Sequence, residues 1–412
     1  MERRRGASAP GGRSSGRLGV RCGRRAVRGG GLVNRIVHVN LGGTVSAADG
    51  IGSVIESLCR AQRLRGHEVL VLGPEHGPDR GTPLRTLLAA TRQLSEFRPD
   101  IVHFHSVFRP IHAVLAGWCR RNSLPYVVSP HSAFAVAALQ RDALRKKLWI
   151  RAVDGPMLRR ASGVICLTGQ ERAEVMDVVP DAGTHVIPNL LSDAWQPASG
   201  TGRPASRSAG PPRVVTLARY DVYQKGLDRI SAIAALLPGV DFVVYGTFDG
   251  NDPEAAGQLI RDAPPNLTFP GIVVGPEKMR VLAEADLYLQ PSRWEGMSVA
   301  VLEAMRSGVP CVVSPEVALT LGDGAETVLV VPDNPGTAAE AVSQLLGDPT
   351  TTGGYAEDAQ AWVDRTTDPD HVISALHQAY EHGVAILSSG RSDQRWSGSG
   401  TVLARVEKGR QK

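Results

Sequence analysis

From Arg35 onward the chain alternates short β-branched runs with longer segments of helical periodicity. RIVHVNL (35–41) predicts a buried strand, followed by a glycine-rich loop and a helix over about 51–65. EVLVLG (68–73), DIVHFH (100–105), PYVVSP (125–130), GVICLT (163–168) and THVIP (184–188) predict five more strands, with helical patterns between most of them. Strands alternating with helices imply a parallel, doubly wound sheet. The alternation stops at QPASGTGRPASRSAGPP (196–212), whose Pro, Gly and Ser mark a linker. It then restarts with RVVTLAR (213–219), DFVVYG (241–246), NLTFPG (266–271), LYLQPS (287–292), PCVVSP (310–315) and ETVLVVP (326–332). A last helical stretch covers 370–388 and is expected to pack back on the first half. The expected plan is two α/β domains, 32–195 and 213–369, with a ligand cleft where the carboxyl ends of their strands converge.

Composition narrows the classes. The 412 residues are 42% hydrophobic and 21% charged, ordinary for a globular chain with room for two or three domains. No apolar run approaches the ~18–20 residues of a membrane span. The five cysteines are scattered and never form a C-x-x-C pair, which argues against a disulfide scaffold or a zinc module and for a reducing compartment. A cytoplasmic location is therefore expected, with room for peripheral contact at the inner face of the membrane. The net charge of +5 invites a nucleic-acid reading, but the basicity sits at the ends: residues 1–31 hold nine arginines against Glu2, and 388–412 hold six basic residues against two acids. The body between them is acidic, so no nucleic-acid partner is expected. The 1–31 and 389–412 segments lack apolar periodicity and are expected to be disordered. For 1–31, an extension from an upstream start codon is favoured over a transit peptide or a polyanion-binding arm.

The chemistry concentrates in PSRWEGMSVAVLEAM (291–305). Glu295 falls in a loop after a strand expected to end at Ser292. Glu303 falls inside a helix expected to begin near Met297–Ser298. A helix start offers unpaired N–H groups to an anion, and an acid such as Glu303 can accept from ribose hydroxyls. The plainer alternative is a capping acid and a solvated helical acid. In LARYDVYQKGLD (217–228), Arg219 and Lys225 share a loop before a helix expected near Gly226, where both can reach a diphosphate. Fixed cations of that kind stabilise charge on a leaving group without a metal. Two surface cations are the alternative, although a lysine is informative in a chain with only six. His103 and His105 alternate on one strand like a metal pair, but with no third ligand nearby no metal is expected.

PSRWEGMSVAVLEAMRSGVP resembles the E-x(7)-E signature of retaining glycosyltransferases of family four, which have the GT-B fold of two facing Rossmann-like domains. The resemblance runs over about 32–388 and includes RGHEV, RPDIVHFHS, PYVVSPHSAF, VIPN and the Arg219/Lys225 loop, in order. It implies an N-terminal acceptor domain and a C-terminal nucleotide-sugar domain. It further implies that Glu295 contacts the donor sugar, Glu303 the ribose, and Arg219 and Lys225 the diphosphate. His131 would reach the sugar from the N-terminal domain, Met297 and Ser298 would offer backbone amides to the phosphates, and Gly42 and Gly43 would close over the diphosphate. Thr247–Asp249 and Ile272–Val273 are the expected base and sugar loops. The departures are Ala218 for a usual glycine, Ser298 for a common glycine, and Ser132 for the glycine that often follows the histidine. The implied activity is transfer of a hexose-type sugar from a nucleoside diphosphate sugar to a glycan, glycolipid or small-molecule acceptor, with no cofactor and no metal.

Three rivals are weaker. GIGSVI (50–55) echoes a dinucleotide fingerprint, but its third glycine is Ile55 and it starts well past the end of the strand instead of at the immediate strand-to-helix turn. A GT-B epimerase or phosphorylase lacks this carboxylate spacing with Arg219 and Lys225. A non-catalytic sugar-nucleotide-binding relative has no need of the full residue set. Separately, QRDALRKKLWIRAVDGPMLRR (140–160) holds seven basic residues and two acids, and reads either as a face for an anionic membrane or as a solvated surface.

Overall fold

Strands buried along their whole length need cover on both faces, and a computed structural model supplies it with two helix-flanked sheets. It describes residues 33–42, 50–73, 82–140, 142–191, 210–248 and 252–389. The extension 1–31, Gly43, Asp249, nearly all of the 196–212 linker and the tail from 390 lie outside the described residues.

The first sheet contains β1 (Arg35–Val39), β2 (Glu68–Leu72), β3 (Ile101–His105), β4 (Tyr126–Ser129), β5 (Gly163–Cys166) and β6 (Thr184–Val186). Its order is β2-β1-β3-β4-β5-β6, and every pairing is parallel. The second contains β7 (Arg213–Leu217), β8 (Asp241–Tyr245), β9 (Leu267–Gly271), β10 (Leu287–Gln290), β11 (Cys311–Val313) and β12 (Leu329–Val330). Its order is β12-β11-β10-β7-β8-β9, again parallel. The order reverses between β1 and β3 in the first sheet and between β7 and β10 in the second. Crevices open outside the carboxyl ends of strands at such points. The two α/β layers are the GT-B arrangement.

Each domain has apolar packing on both faces of its sheet. In the first domain one cluster centres on Val37, Phe104, Val128 and Leu115. The opposite face carries Ile36, Ile101, Val127 and Ile165, and it is covered by Val372, Ile373, Leu376 and Tyr380 of the C-terminal helix Pro369–Ser389. That helix also pairs Asp370 with Arg65 and brings Gly383 against Ser162, where a Cβ would lie 2.7 Å from the serine Cβ. The last helix therefore belongs to the first domain's core.

Several expected boundaries move for local reasons. The strand in LYLQPS ends at Gln290 rather than Ser292, because Pro291 has no N–H for the ladder. The helix after it begins at Val299, with Ser298 as its cap accepting from Val301 N. The helix expected near Gly226 is preceded by a separate helical turn, Val222–Lys225, capped by Asp221 and stopped by Gly226 in the left-handed region at φ 65°. A Cβ at Gly226 would also meet the Pro291 carbonyl oxygen at 2.2 Å, so only glycine lets this loop lie against the 291–295 loop. Of ETVLVVP only Leu329–Val330 is strand, since Glu326 and Thr327 close the 3₁₀ turn Gly322–Thr327.

Candidate functional site

The carboxyl ends of both sheets face a cleft of ≈ 350 Å³ lined by both domains. From the first domain come Gly50, Ile51, Ser53 and Val54 at the start of the helix Gly50–Leu64, with His131 and Ser132 after β4. From the second come Arg219 and Lys225 after β7, Thr247 after β8, Ile272 and Val273 after β9, and Glu295, Met297, Ser298 and Glu303 after β10. Eight of the nine sequence-derived site residues are described, and seven of them line this cleft. The eighth, Gly42, ends outside the lining at φ 79°, with its carbonyl taken by the Arg109 guanidinium.

Two carboxylates hold cations. Glu295 Oε1 accepts from Lys225 Nζ at 2.6 Å, Ser292 Oγ at 2.7 Å and Gln290 Nε2 at 3.2 Å. Lys225 and Glu295 side chains are only 13% and 8% exposed, so the charges meet away from bulk water. Gln290 is itself fixed by the Tyr288 hydroxyl at 2.6 Å and by Ser292 at 2.6 Å. Lys225, expected to face a diphosphate, thus meets the carboxylate expected to face the sugar. Glu303 accepts from Lys278 Nζ at 2.5 Å. Burial pushes the Glu303 carboxyl above the usual range, and the lysine charge opposes that rise. Arg219 donates to Gln224 Oε1 at 3.3 Å.

Lys278, Gln290, Asn189 and Glu171 were not singled out from the sequence. Lys278 carries no motif and reaches Glu303 only through tertiary packing. Asn189, in the quoted VIPN, donates to the Met297 carbonyl at 2.9 Å and so ties the first domain to the loop of the second. Glu171 holds the His131 loop by accepting from Ser132 N and Leu167 N, both at 2.6 Å. Desolvation raises its carboxyl to about 7 against those two hydrogen bonds. The loop needs holding: His131 and Ser132 both sit at positive φ, 53° and 58°, where side chains are disfavoured. The frequent family glycine at 132 would suit that backbone. Here the serine hydroxyl presses on Gly296, where a Cβ would lie 2.1 Å from it.

The expectation that His103 and His105 lack a third neighbour is corrected. His38 on β1 stands in register with His103, and one nitrogen from each of the three rings lies within 4.8 Å of the others. Both nitrogens of every ring are already engaged. His38 binds Gln62 and His105, His105 binds His131, and His103 binds Tyr380 and Ser129, all at 2.7–3.0 Å. A cation there would break several buried hydrogen bonds.

Comparison with known proteins adds a family. The model described as "Glycosyl transferases group 1" matches residues 211–348, and "Glycosyltransferase Family 4" matches 48–194. An Escherichia coli UDP-Gal:alpha-D-GlcNAc-diphosphoundecaprenol alpha-1,3-galactosyltransferase is 26% identical over 251 residues, 56% of this chain and 62% of that protein. Glycogen synthase of Mycobacterium tuberculosis is 26% identical over 302 residues, 69% of each chain. Among solved structures, sucrose-phosphate synthase from Thermosynechococcus elongatus superposes with a TM-score of 0.73 at 19% identity, covering 85% of this chain and 99% of that one. Anabaena HepE in complex with UDP and glucose gives 0.66 at 18% identity, covering 84% and 99%.

Proposed function

The chain belongs to the group 1 and family 4 glycosyl transferases, and from that premise we propose that it moves a hexose-type sugar from a nucleoside diphosphate sugar to a glycan or lipid-linked acceptor, with retention at the anomeric carbon. The observation that carries the reading is the joint placement of Arg219, Lys225, Glu295 and Glu303 around one cleft at the second sheet's reversal point. In this reading the donor's diphosphate lies between Arg219 and Lys225 and the start of the helix Val299–Arg306, where the Met297 and Ser298 amides are available to it. Glu303 takes the ribose, and Glu295 and His131 take the sugar. As the sugar–phosphate bond breaks, negative charge grows on the diphosphate. Arg219 and Lys225 are fixed cations that stabilise that charge, the role a divalent metal would otherwise fill.

The test is a panel of nucleoside diphosphate sugars assayed with chelator present, with the product's anomeric configuration read by NMR. Turnover unaffected by chelator and an anomer matching the donor are expected. Activity abolished by chelator and restored by magnesium would remove the metal-free part, and an inverted product would remove retention. Binding of nucleotide sugars without turnover would favour the non-catalytic relative.

The acceptor side of this reading includes a membrane surface. In the helix Ala143–Trp149, Leu144 and Leu148 are 73% and 61% exposed one turn apart, and Val136 nearby is 66% exposed. Arg145, Lys147 and Arg151 are exposed around them. Apolar side chains ringed by cations suit an interface with anionic lipid. Among the described residues no helix is long and apolar enough to cross a membrane. Sedimentation with anionic vesicles is expected to capture the protein, and Leu144→Asp with Leu148→Asp should weaken capture at least about tenfold. Equal capture by zwitterionic vesicles, or none by either, would make this a solvated face.

A further inference from the structure

A row of buried side chains runs from the helix Gly50–Leu64 to the cleft. Gln62 Oε1 lies 2.9 Å from His38 Nε2, His38 Nδ1 lies 2.9 Å from His105 Nε2, and His105 Nδ1 lies 3.0 Å from His131 Nε2. Gln62, His38 and His105 are wholly buried, and His131 lines the cleft. Burial drives His38 and His131 down to about 4, and burial with the neighbouring imidazoles drives His105 well below its ordinary value. All three rings are neutral near pH 7.

A neutral imidazole carries one N–H and one bare nitrogen, so a file of hydrogen-bonded rings has a single direction. The Gln62 carbonyl can only accept. His38 must therefore carry its proton on Nε2, which leaves Nδ1 bare to accept from His105 Nε2–H. His105 Nδ1 is bare in turn and accepts from His131 Nε2–H. His131 is then left with a bare Nδ1, which takes no hydrogen bond among the described residues.

We propose that Gln62 is a positioning residue that, through His38 and His105, holds His131 in the Nε2–H tautomer, so that its bare Nδ1 accepts a hydrogen bond from a hydroxyl of the donor sugar. The inference rests on the sugar-transfer reading for its ligand but not for its tautomer. It makes His131 a selector of donors bearing a hydroxyl at the facing carbon, because a deoxy sugar leaves a bare nitrogen without its donor.

The test uses the full chain with ¹⁵N-labelled histidine. Histidine NMR reports which nitrogen of each ring is protonated, and the His131 signal is identified by its loss in His131→Gln. The expected result without ligand is Nε2–H at His131. Gln62→Glu keeps an acceptor in place and should keep that tautomer. Gln62→Met removes the anchor and should give His131 a mixture of both. With the donor identified from the panel, Gln62→Met should lower kcat/KM about tenfold, the weight of one misdirected hydrogen bond. That loss should vanish for the monodeoxy donor lacking the facing hydroxyl, a pattern that loosened packing would not produce. A proton on His131 Nδ1 in the wild type, or an unchanged tautomer in Gln62→Met, overturns the inference even if the enzyme is active. An absence of turnover on every nucleotide sugar, with the tautomer shifting as described, fails the transferase reading and leaves the histidine file standing.

Discussion

Replacing Lys225 with alanine is expected to lower turnover about 10²–10³-fold while donor affinity changes far less. In the proposed role the lysine's attraction for the diphosphate grows as the sugar leaves, so most of its effect would belong to the transition state. The same substitution strips Glu295 of the cation 2.6 Å from its Oε1. A carboxylate only 8% exposed then relies on Ser292 and Gln290, and stability should fall by about 1–3 kcal/mol. The spacing of the two loops carried no hint of that cost, because it comes from their meeting. Adding Glu295→Gln to Lys225→Ala removes the orphaned charge, so it should recover stability without recovering turnover. Steady-state kinetics, calorimetric donor titration and thermal melts on the single and double variants read all of this. Lost binding with retained turnover would show that Lys225 holds the ground state instead.

Glu303→Ala is expected to raise the donor KM about 10²-fold with kcat little changed, the combined weight of two hydrogen bonds to an ionised acceptor. Ribose hydroxyls carry no developing charge, so their contacts are alike before and during reaction. The wild type should show a matching pH dependence. Burial raises the Glu303 carboxyl, and in the proposed ribose-binding role the donor needs it ionised. Affinity should therefore weaken as pH falls, starting above the range where exposed glutamates titrate. In Glu303→Gln that limb of the profile should disappear. A fall in kcat at unchanged KM would sink the ribose assignment.

The twelve strands were legible in the sequence because parallel sheets covered on both faces demand unbroken apolar runs, and every predicted run contains an observed strand. The cleft residues were legible where a motif carries its own spacing, as in Glu295 and Glu303. What could not be read was anything set by contact between distant segments. The Lys278–Glu303 pair joins residues 25 apart, Lys225–Glu295 joins residues 70 apart, and His103–Tyr380 joins residues 277 apart. His38 reads as one more residue of a buried strand until register sets it beside His103. Gln62 gives no signal on an amphipathic helix, where a polar residue is expected to face water.

The helix Pro369–Ser389 has a consequence for how the protein is made. It closes the underside of the first sheet with Val372, Ile373, Leu376 and Tyr380, and Tyr380 supplies the partner of His103 Nδ1 at 2.8 Å. A growing chain leaves the ribosome amino end first, so the first domain emerges without its floor. At about 5–20 residues per second, making the stretch from 192 to 369 occupies roughly 10–35 s. Through that interval an apolar sheet face and a buried imidazole wait uncovered beside the nascent second domain. Completion of the amino-terminal half is thus timed by synthesis of residues 369–389, and a chain stopped between 370 and 380 carries a first domain without its floor beside a second domain whose own core residues are all present.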